Sequence, residues 1–287
     1  MAPARCRGDG RTEVGRLTRF LTVLSVGYSL APVGPGSVQT RRPYFSQYPD
    51  IANATVLQNV ASSTYNAMQF VFNRRYKDGL TLTTHYTWAH ARETRRTPWD
   101  FSLSETGDTP NFDVRHHWVL TSNYELPWGK ELTGVAHGFL SNWQVNAAAF
   151  WQSGVAFTVV NAASRTNTGG SDRPIVTGDP MLPASQRTIQ RWFNTDAFSA
   201  APQFSPGNVG YALMHGPDQR RIDMSIFKDL TISGSRKLQL RAEVYNVTNF
   251  ANFYLPDNNF GSSGFGSISS TGNSIPRQMQ FGIKYLF

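Results

Sequence analysis

The sequence predicts an all-β protein whose antiparallel strands form a transmembrane β-barrel. Three observations support this prediction: apolar and polar side chains alternate along many segments, charged residues are scarce, and the connections between segments are alternately short and long. Charged residues make up only 16% of the 287 residues, against about 25% in soluble domains. The chain also contains 24 Gly. This composition suits a barrel whose interior is polar but mostly uncharged.

The segment with the clearest strand pattern is residues 276–287. Phe281, Ile283, Tyr285 and Phe287 fall on one side of the alternation, while Gln, Gly and Lys fall on the other. A period of two with one apolar side is typical of a β-strand. A transmembrane strand needs about 9–11 residues, with apolar groups outward and aromatic residues at the interfaces. The segment meets these conditions.

Earlier segments repeat this alternation from Tyr65 onward, and we count about seven strands in all. In most segments, bulky apolar side chains alternate with Thr, Asn, Gln, Ser or His, and the two segments 222–226 and 238–244 also place Asp, Arg or Glu on the polar side. The row from Trp143 to Trp151 has an aromatic residue at each end, as expected where a strand meets two membrane interfaces. The side chains predicted to face lipid are Met68, Phe70, Phe72, Leu82, Tyr86, Trp88, Trp143, Val145, Ala147, Ala149 and Trp151.

The connections between the predicted strands differ in length in a regular order. Lys77-Asp78-Gly79 predicts a tight hairpin turn, because Asp-Gly tolerates the positive φ that such a turn requires. A second turn is predicted at 233–235, and a short connection around 126–130. Outer-membrane barrels have short periplasmic turns and longer extracellular loops, which this order matches. The predicted long loops are residues 90–111, 156–217 and 249–275.

Residues 1–32 differ from the rest of the chain and stay unassigned. Arg16 and Arg19 precede a short apolar run, which is consistent with a secretory signal. A mispredicted start of the gene is the alternative that we favour, because the segment before the run is long and contains acidic residues. Residues 17–28 are also a candidate for an eighth strand, although their alternation is poor.

The net charge of +8 does not predict a nucleic-acid partner. Residues 1–42 hold seven Arg and two acidic residues, so most of the excess charge lies there. A basic recognition face on the main body of the chain is therefore not expected. The chain has no apolar run of about 18 residues, so the sequence predicts no membrane-spanning helix. With one cysteine, Cys6, it offers no disulfide within the chain and no cysteine-based metal cluster.

The sequence predicts no catalytic, cofactor-binding or metal site, and the protein is not expected to be an enzyme. His116 and His117 are adjacent, so on a strand they point to opposite faces. His85 and His90 occupy an odd and an even position, so on one strand they also point to opposite faces. No pair of possible ligands therefore has the spacing of a metal site. Acidic and basic residues on the polar side of the strands, such as Glu243, are expected to face a wet barrel interior rather than to perform acid–base catalysis. The glycine-rich stretch 261–266 lacks the Lys-Ser/Thr and the helix of a phosphate loop.

Short phrases in order along residues 33–287 resemble the C-terminal barrel of TonB-dependent outer-membrane receptors. The similarity is to the Oar-like group, which has an N-terminal carboxypeptidase-regulatory-like domain. The matching phrases are Gly34-Pro-Gly-Ser-Val-Gln-Thr-Arg-Arg-Pro-Tyr44, Tyr65-Asn-Ala-Met-Gln69, Tyr86-Thr-Trp-Ala-His90, Asp113-Val-Arg-His116, Tyr124-Glu-Leu-Pro-Trp-Gly129, Trp143-Gln-Val-Asn146, Trp192-Phe-Asn-Thr195, Arg241-Ala-Glu-Val-Tyr-Asn246 and Pro276-Arg-Gln-Met-Gln-Phe281.

The resemblance implies that residues 33–287 are a C-terminal partial barrel of about seven or eight strands, in the outer membrane of a Gram-negative cell. Members of the family place a plug domain and a TonB-binding segment before a barrel with many more strands. Neither is recognised in this sequence, so we expect a fragment that meets the TonB system only through such N-terminal parts. The implied partners are outer-membrane lipid, the assembly machinery and a substrate selected by the loops. In the family, the assembly machinery recognises the final strand, whose matching residues are Phe281, Ile283, Tyr285 and Phe287.

The alternative function is a secreted or surface-located all-β binding module, for example for carbohydrate. Trp and Tyr near the strand ends would then stack on sugars, whereas in a barrel they form aromatic girdles at the lipid interfaces. The row from Trp143 to Trp151 favours the barrel, because a sandwich would bury one face of each sheet. Partition of the protein between membrane and soluble fractions distinguishes the two.

Overall fold

A computed structural model of the chain contains one large antiparallel sheet and a group of folded loops at one end of it. Side chains are not described for residues 10–27 and 55–60. Among the described residues, no helix is long and apolar enough to cross a membrane. The structure describes residues 10–27, 30–52, 54–100, 102–108, 113–234, 236–272 and 274–287.

Nine strands build the large sheet, and neighbours along the sheet are almost always neighbours along the chain. The spatial order is β1-β2-β3-β5-β6-β12-β13-β15, and the short β4 pairs with the end of β3. The strands of this sheet are β1 Gly10–Gly27, β2 Thr55–Lys77, β3 Leu80–Arg96, β4 Ser104–Asp108, β5 His116–Glu125, β6 Trp143–Gln152, β12 Gln219–Ser233, β13 Arg236–Tyr245 and β15 Gln278–Leu286.

Two of the predicted tight turns are confirmed at one end of the sheet, which we call the short-turn end. Asp78 and Gly79 have φ of 54° and 82° and connect β2 to β3. Gly234, with φ of 57°, lies between β12 and β13. At Gly79 a side chain would also collide with the carbonyl oxygen of Glu125, since an added Cβ would lie 2.5 Å from it. Glycine is therefore required there by both conformation and space.

The connection between β5 and β6 is longer than predicted. The sequence predicts only a short connection around residues 126–130, but the chain forms helix α1 over Gly134–Leu140 before β6 begins. Two of its seven residues are glycine, and glycine weakens a helix. The helix therefore depends on contacts with the sheet rather than on its own propensity.

The prediction that residues 90–111 form an irregular loop was wrong. Strand β3 continues to Arg96 and pairs there with β4. The end of β3 and its partner β4 have no apolar side, so they lack the pattern that predicted the other strands. They are held by polar pairs instead, including a 2.8 Å hydrogen bond between the hydroxyls of Thr94 and Thr106.

The two longest predicted loops, 156–217 and 249–275, fold together into a body that we call the loop cap, residues 153–218 and 246–277. Its core includes the buried side chains of Phe157, Phe193 and Phe198. Phe193, Phe198 and Phe265 meet one another in edge-to-face ring contacts, and Phe157 packs against Phe193. The loops are thus not irregular throughout. Short strands pair within the cap, namely β7 Ala156–Phe157 with β11 Met214–His215, β8 Val160–Asn161 with β14 Asn259–Phe260, and β9 Ile175–Val176 with β10 Phe198–Ser199.

Among the residues that the structure describes, three 3-10 turns complete the regular structure. They span Gln39–Arg41, Ala184–Gln186 and Thr195–Ala197. The first lies in the connection between β1 and β2, and the other two lie in the loop cap. The cap contacts that connection directly, because the side-chain amide of Asn167 donates to the carbonyl oxygens of Gly34 and Gly36 at 3.0 and 2.9 Å. The connections after β1, β3, β6 and β13 lie at the same end of the sheet, which we call the long-loop end, opposite the short-turn end.

The sheet is open in the described part of the chain, with β1 and β15 as its two edges. The stretch set apart by the sequence, residues 1–32, contains β1, which includes most of the candidate eighth strand at 17–28. Residues 1–9 and 28–29 lie outside the described residues, so the signal-like interpretation of the N-terminus stays a prediction. The start of β1 and the end of β15 both lie at the short-turn end.

Candidate functional site

The strand register brings the predicted lipid-facing residues together on one face of the large sheet, which we call the apolar face. In the centre, Ala147 lies opposite Ser122 on β5 and opposite Met224 on β12. Toward the first edge, Phe70 lies opposite Tyr86. All of the residues that were predicted to face lipid, on β2, β3 and β6, lie on this same face. The register thus places them side by side, while contact with lipid itself stays a prediction.

Aromatic side chains border the apolar face near the long-loop end. Rings of neighbouring strands follow one another from Phe70 through Tyr86 and His116 to Trp151, with centroids 6.3, 6.1 and 5.9 Å apart. At the other end of β6, Trp143 occupies the same face. The eight residue-to-residue steps from Trp143 to Trp151 span about 27 Å, close to the ~25 Å apolar band of outer-membrane barrels.

The opposite face of the sheet is polar. A cleft of about 170 Å³ on this sheet is lined in part by Asn146, Asp223, Ser225 and Glu243. The amide of Asn146 donates to the hydroxyl of Ser225 at 3.1 Å, and Arg221 donates to Asp223 at 2.7 Å. Because Asp223 is paired with a cation, the two carboxylates are not arranged as a free acid–base pair. The polar face has the chemistry expected of a wet barrel interior.

The final strand is the outermost one on its side of the sheet. Its apolar residues share the parity of the apolar face, since Phe281 lies opposite Ala242 and Ile283 opposite Leu240. They are strongly exposed, with Phe281 at 79% and Phe287 at 92% of full accessibility. Tyr285 and Phe287 stack with ring centroids 6.0 Å apart. The strand therefore presents an unpaired edge and an uncovered apolar row together.

A charged cluster lies where the long loops meet the strands. The guanidinium of Arg115 donates to Asp113 at 2.6 Å and to Asp108 at 2.7 Å, and it lies 3.0 Å from the Nε2 of His90. Asp113 also accepts the backbone N–H of Ala91 at 2.7 Å. Burial favours the neutral form of Asp113, but the nearby His215 ring, the Arg115 guanidinium and the Ala91 N–H outweigh it and hold the pKa of this carboxyl below its ordinary value.

The same cluster tests whether a metal ion fits. Ligand atoms of His90, Asp108 and Asp113 lie within 4.8 Å of one another, which the parity argument on histidines did not anticipate. The Arg115 guanidinium already contacts all three side chains, however, so it supplies the positive charge where an ion would sit. The Nε2 of His215 lies 3.6 and 3.7 Å from the two carboxylates. The arrangement therefore suits an ion-pair network that fixes the loops rather than metal binding.

A second polar centre joins β3 and β4 to the cap. Tyr211 donates to Glu93 at 2.5 Å, and burial together with this carboxylate raises the pKa of Tyr211 to about 12. Arg173 forms two hydrogen bonds to Glu105, of 2.6 and 2.7 Å, and its guanidinium lies over the rings of Trp99 and Tyr211. The cap is thus attached to the strands through desolvated charges and aromatic faces.

Sequence reasoning missed this second centre. Its members are far apart in the chain and belong to segments without periodicity, so no local spacing indicates that they meet. The first cluster left a signal, because Asp113-Val-Arg-His116 is among the phrases that carry the resemblance. Asp113 and Arg115 are the members of that phrase that form the ion pair.

Comparison with known proteins identifies one match. A family model described as an outer membrane beta barrel domain matches residues 14–280, a span that begins within β1 and ends within β15. The search of curated proteins and the search of solved structures found no match.

Proposed function

Since the chain belongs to the outer membrane beta barrel domain family, we propose that it forms the C-terminal strands of a TonB-dependent receptor barrel. Its apolar face contacts outer-membrane lipid, and its polar face lines the interior. The assembly machinery of the outer membrane binds its final strand. The ordered phrases shared with the Oar-like receptors support this finer assignment. The TonB system itself engages the plug side of such receptors rather than these strands.

The single observation that carries the proposal is the open sheet. In the described residues, eight strands follow one another from β1 to β15 without the two edges meeting. Unpaired backbone N–H and C=O groups in hydrocarbon cost several kcal/mol each, so a spanning sheet must be closed. Large outer-membrane transporters close with about 22 strands around a plugged interior. We infer that further strands of the receptor pair with β1 and β15.

The loop cap supports the same role. In this orientation it lies on the extracellular side, where substrates are first met. Its aromatic core and the buried pair of Arg173 with Glu105 on β4 give it a defined shape. Defined loops of this kind are suited to selecting a substrate.

Refolding in detergent tests the proposal. The chain alone is expected to give no compact, heat-modifiable monomer on a semi-native gel, because its edges stay unpaired. A chimaera is the matched control: residues 10–287 replace the last eight strands of a receptor that has its plug and earlier strands. That chimaera is expected to give the heat-modifiable band and to reach the outer membrane. A folded monomeric barrel from the chain alone would contradict the proposal.

A further inference from the structure

One surface that the barrel strands do not explain is a group of exposed apolar residues around helix α1. We call it the α1 patch, and it lies in the connection between β5 and β6 at the short-turn end. Apolar groups gathered in this way and left in water mark a binding surface more often than a solvated one. Its members are Trp128 at 61% of full accessibility, Leu132 at 42%, Val135 at 77%, Phe139 at 69% and Leu140 at 51%.

The C-terminal end of α1 is attached to the apolar face of the sheet. The indole N–H of Trp143 donates to the carbonyl oxygen of Phe139 at 2.9 Å. Lys228 donates from its Nζ to the carbonyl oxygen of Ser141. Trp143 and Lys228 are register partners on β6 and β12, with Lys228 over the indole ring at 5.6 Å. The patch is therefore continuous with the end of the face that meets lipid.

Further hydrogen bonds hold the helix in this position. His137 makes a 2.9 Å hydrogen bond through Nδ1 to the carbonyl oxygen of Gly129, and the hydroxyl of Ser141 donates to the carbonyl oxygen of His137 at 2.5 Å. Gly129 has φ of 69°, and a Cβ there would lie 2.8 Å from the backbone of Leu140. These contacts use the polar groups of the segment on the protein side. The apolar side chains are consequently left facing outward.

The length and the apolar side of helix α1 decide whether it could span the membrane or lie at its surface. Val135 and Phe139 are four residues apart, so they lie on the same side of the helix. Seven residues are far too few to span a membrane. A short segment with apolar groups on one side and polar contacts on the other lies in the plane of the interface. Trp128 and Trp143 fit this location, because Trp is enriched at the headgroup level.

We propose that the α1 patch is a membrane-interface anchor, which inserts into phospholipid at the periplasmic surface of the outer membrane. The proposal rests on the outer-membrane orientation argued above. Exposed basic residues at the same end, including Lys130, Arg236 and Lys237, outnumber exposed acidic residues such as Asp78 and Glu131. This excess of positive charge suits the negative charge of phospholipid headgroups. The anchor would fix the depth of the β5–β6 region in the bilayer.

Fluorescence quenching by lipid tests the anchor in the chimaera described above, because the chain alone is not expected to close into a barrel. Three single-cysteine variants are made in a cysteine-free background: Val135→Cys in the patch, Asp78→Cys at the exposed β2–β3 turn of the same end, and Ala147→Cys on the apolar face. Each carries an environment-sensitive nitrobenzoxadiazole label. The proteins are reconstituted in phosphatidylethanolamine–phosphatidylglycerol vesicles with nitroxide-labelled acyl chains, which quench this label on contact. The readout reports local lipid contact at each labelled position.

The label at Val135 is expected to shift to the blue and to lose most of its emission, as the label at Ala147 does, while the label at Asp78 stays unquenched. Quenching at Ala147 without quenching at Val135 would overturn the anchor and leave the barrel assignment intact. Absence of quenching at both positions would overturn both proposals. A blue shift at Val135 that grows with protein concentration, without quenching, would show that a second copy covers the patch and would overturn the lipid assignment.

Discussion

Arg173 and Glu105 form a two-pronged ion pair that joins the loop cap to β4. The hydrogen bonds are 2.6 Å from Nη1 to Oε2 and 2.7 Å from Nη2 to Oε1. Their side chains are only 4% and 13% exposed, so the pair is largely removed from water. Arg173 also donates to the carbonyl oxygen of Val209 at 3.1 Å. The pair connects the cap to a hairpin that lies outside the apolar alternation.

We predict that Arg173→Met destabilises the cap by about 3–5 kcal/mol, because it leaves the Glu105 carboxylate buried without its partner. Denaturant titration and limited proteolysis of residues 153–218 in the assembled protein measure the effect. The matched control is Arg191→Met, which breaks the exposed pair with Asp196 and is expected to cost at most about 1 kcal/mol. Equal losses in the two variants would show that the buried pair has no special weight.

The sequence predicted the strands and their faces far better than it predicted the cap. Along β6, the apolar row of Trp143, Val145, Ala147, Ala149 and Trp151 follows a period of two, and that period is a direct consequence of strand geometry. The extension of β3 to Arg96 lacks the period, since polar pairs and the cap hold it. Phe157, Phe193 and Phe265 form a core from distant, irregular segments. Contacts of that kind depend on tertiary packing between distant segments, and the residue pattern within one segment does not reveal them.

The cap is also predicted to loosen in acid, through Asp172. Its buried carboxylate accepts from the side chains of Asn161 and Ser164 and from the backbone N–H groups of Arg165 and Thr166, at 2.6–2.9 Å. Burial favours the neutral acid, but these donors outweigh it and lower the pKa of Asp172. A folded-state pKa below the unfolded value of about 3.9 means that the stabilisation is present above that pH and is lost as the pH falls through the folded pKa.

Protease sensitivity of the cap, followed from about pH 5 down to about pH 2, measures this loss. Asp172→Asn is expected to weaken the cap at neutral pH and to flatten the pH dependence, because the titrating group is gone. Asp50→Asn, at an exposed position in the β1–β2 connection, is the control and should leave the profile unchanged. A profile for Asp172→Asn as steep as that of the unmodified chain would refute the assignment.

The two faces of β6 are predicted to respond differently to a charge. Ala147 belongs to the apolar face, and its neighbour Asn146 belongs to the polar face beside Ser225. In a complete barrel that contains these strands, Ala147→Arg should cost about 2–4 kcal/mol, since it places a cation near the middle of the bilayer. Asn146→Arg should cost less, because its side chain reaches water in the interior. Denaturant titration in vesicles compares the two, and similar costs would show that the face assignment is wrong.

The last prediction concerns delivery to the membrane by the final strand. Phe287 is almost fully exposed and stacks on Tyr285, at the end of an edge strand. An unpaired edge strand needs a partner until the barrel closes. An assembly factor that pairs with this strand would form main-chain hydrogen bonds to it and would bind every second side chain in a pocket. We therefore expect that deletion of Phe287 from an intact receptor leaves most copies unassembled in the periplasm. If Phe287 only completed the aromatic girdle, its deletion would lower stability modestly and leave delivery normal. Lys284→Ala, on the polar side of the same strand, is the control. Pulse labelling followed by surface protease treatment measures how much receptor reaches the outer membrane. Normal surface exposure of the truncated receptor would refute the role of Phe287 as an assembly signal.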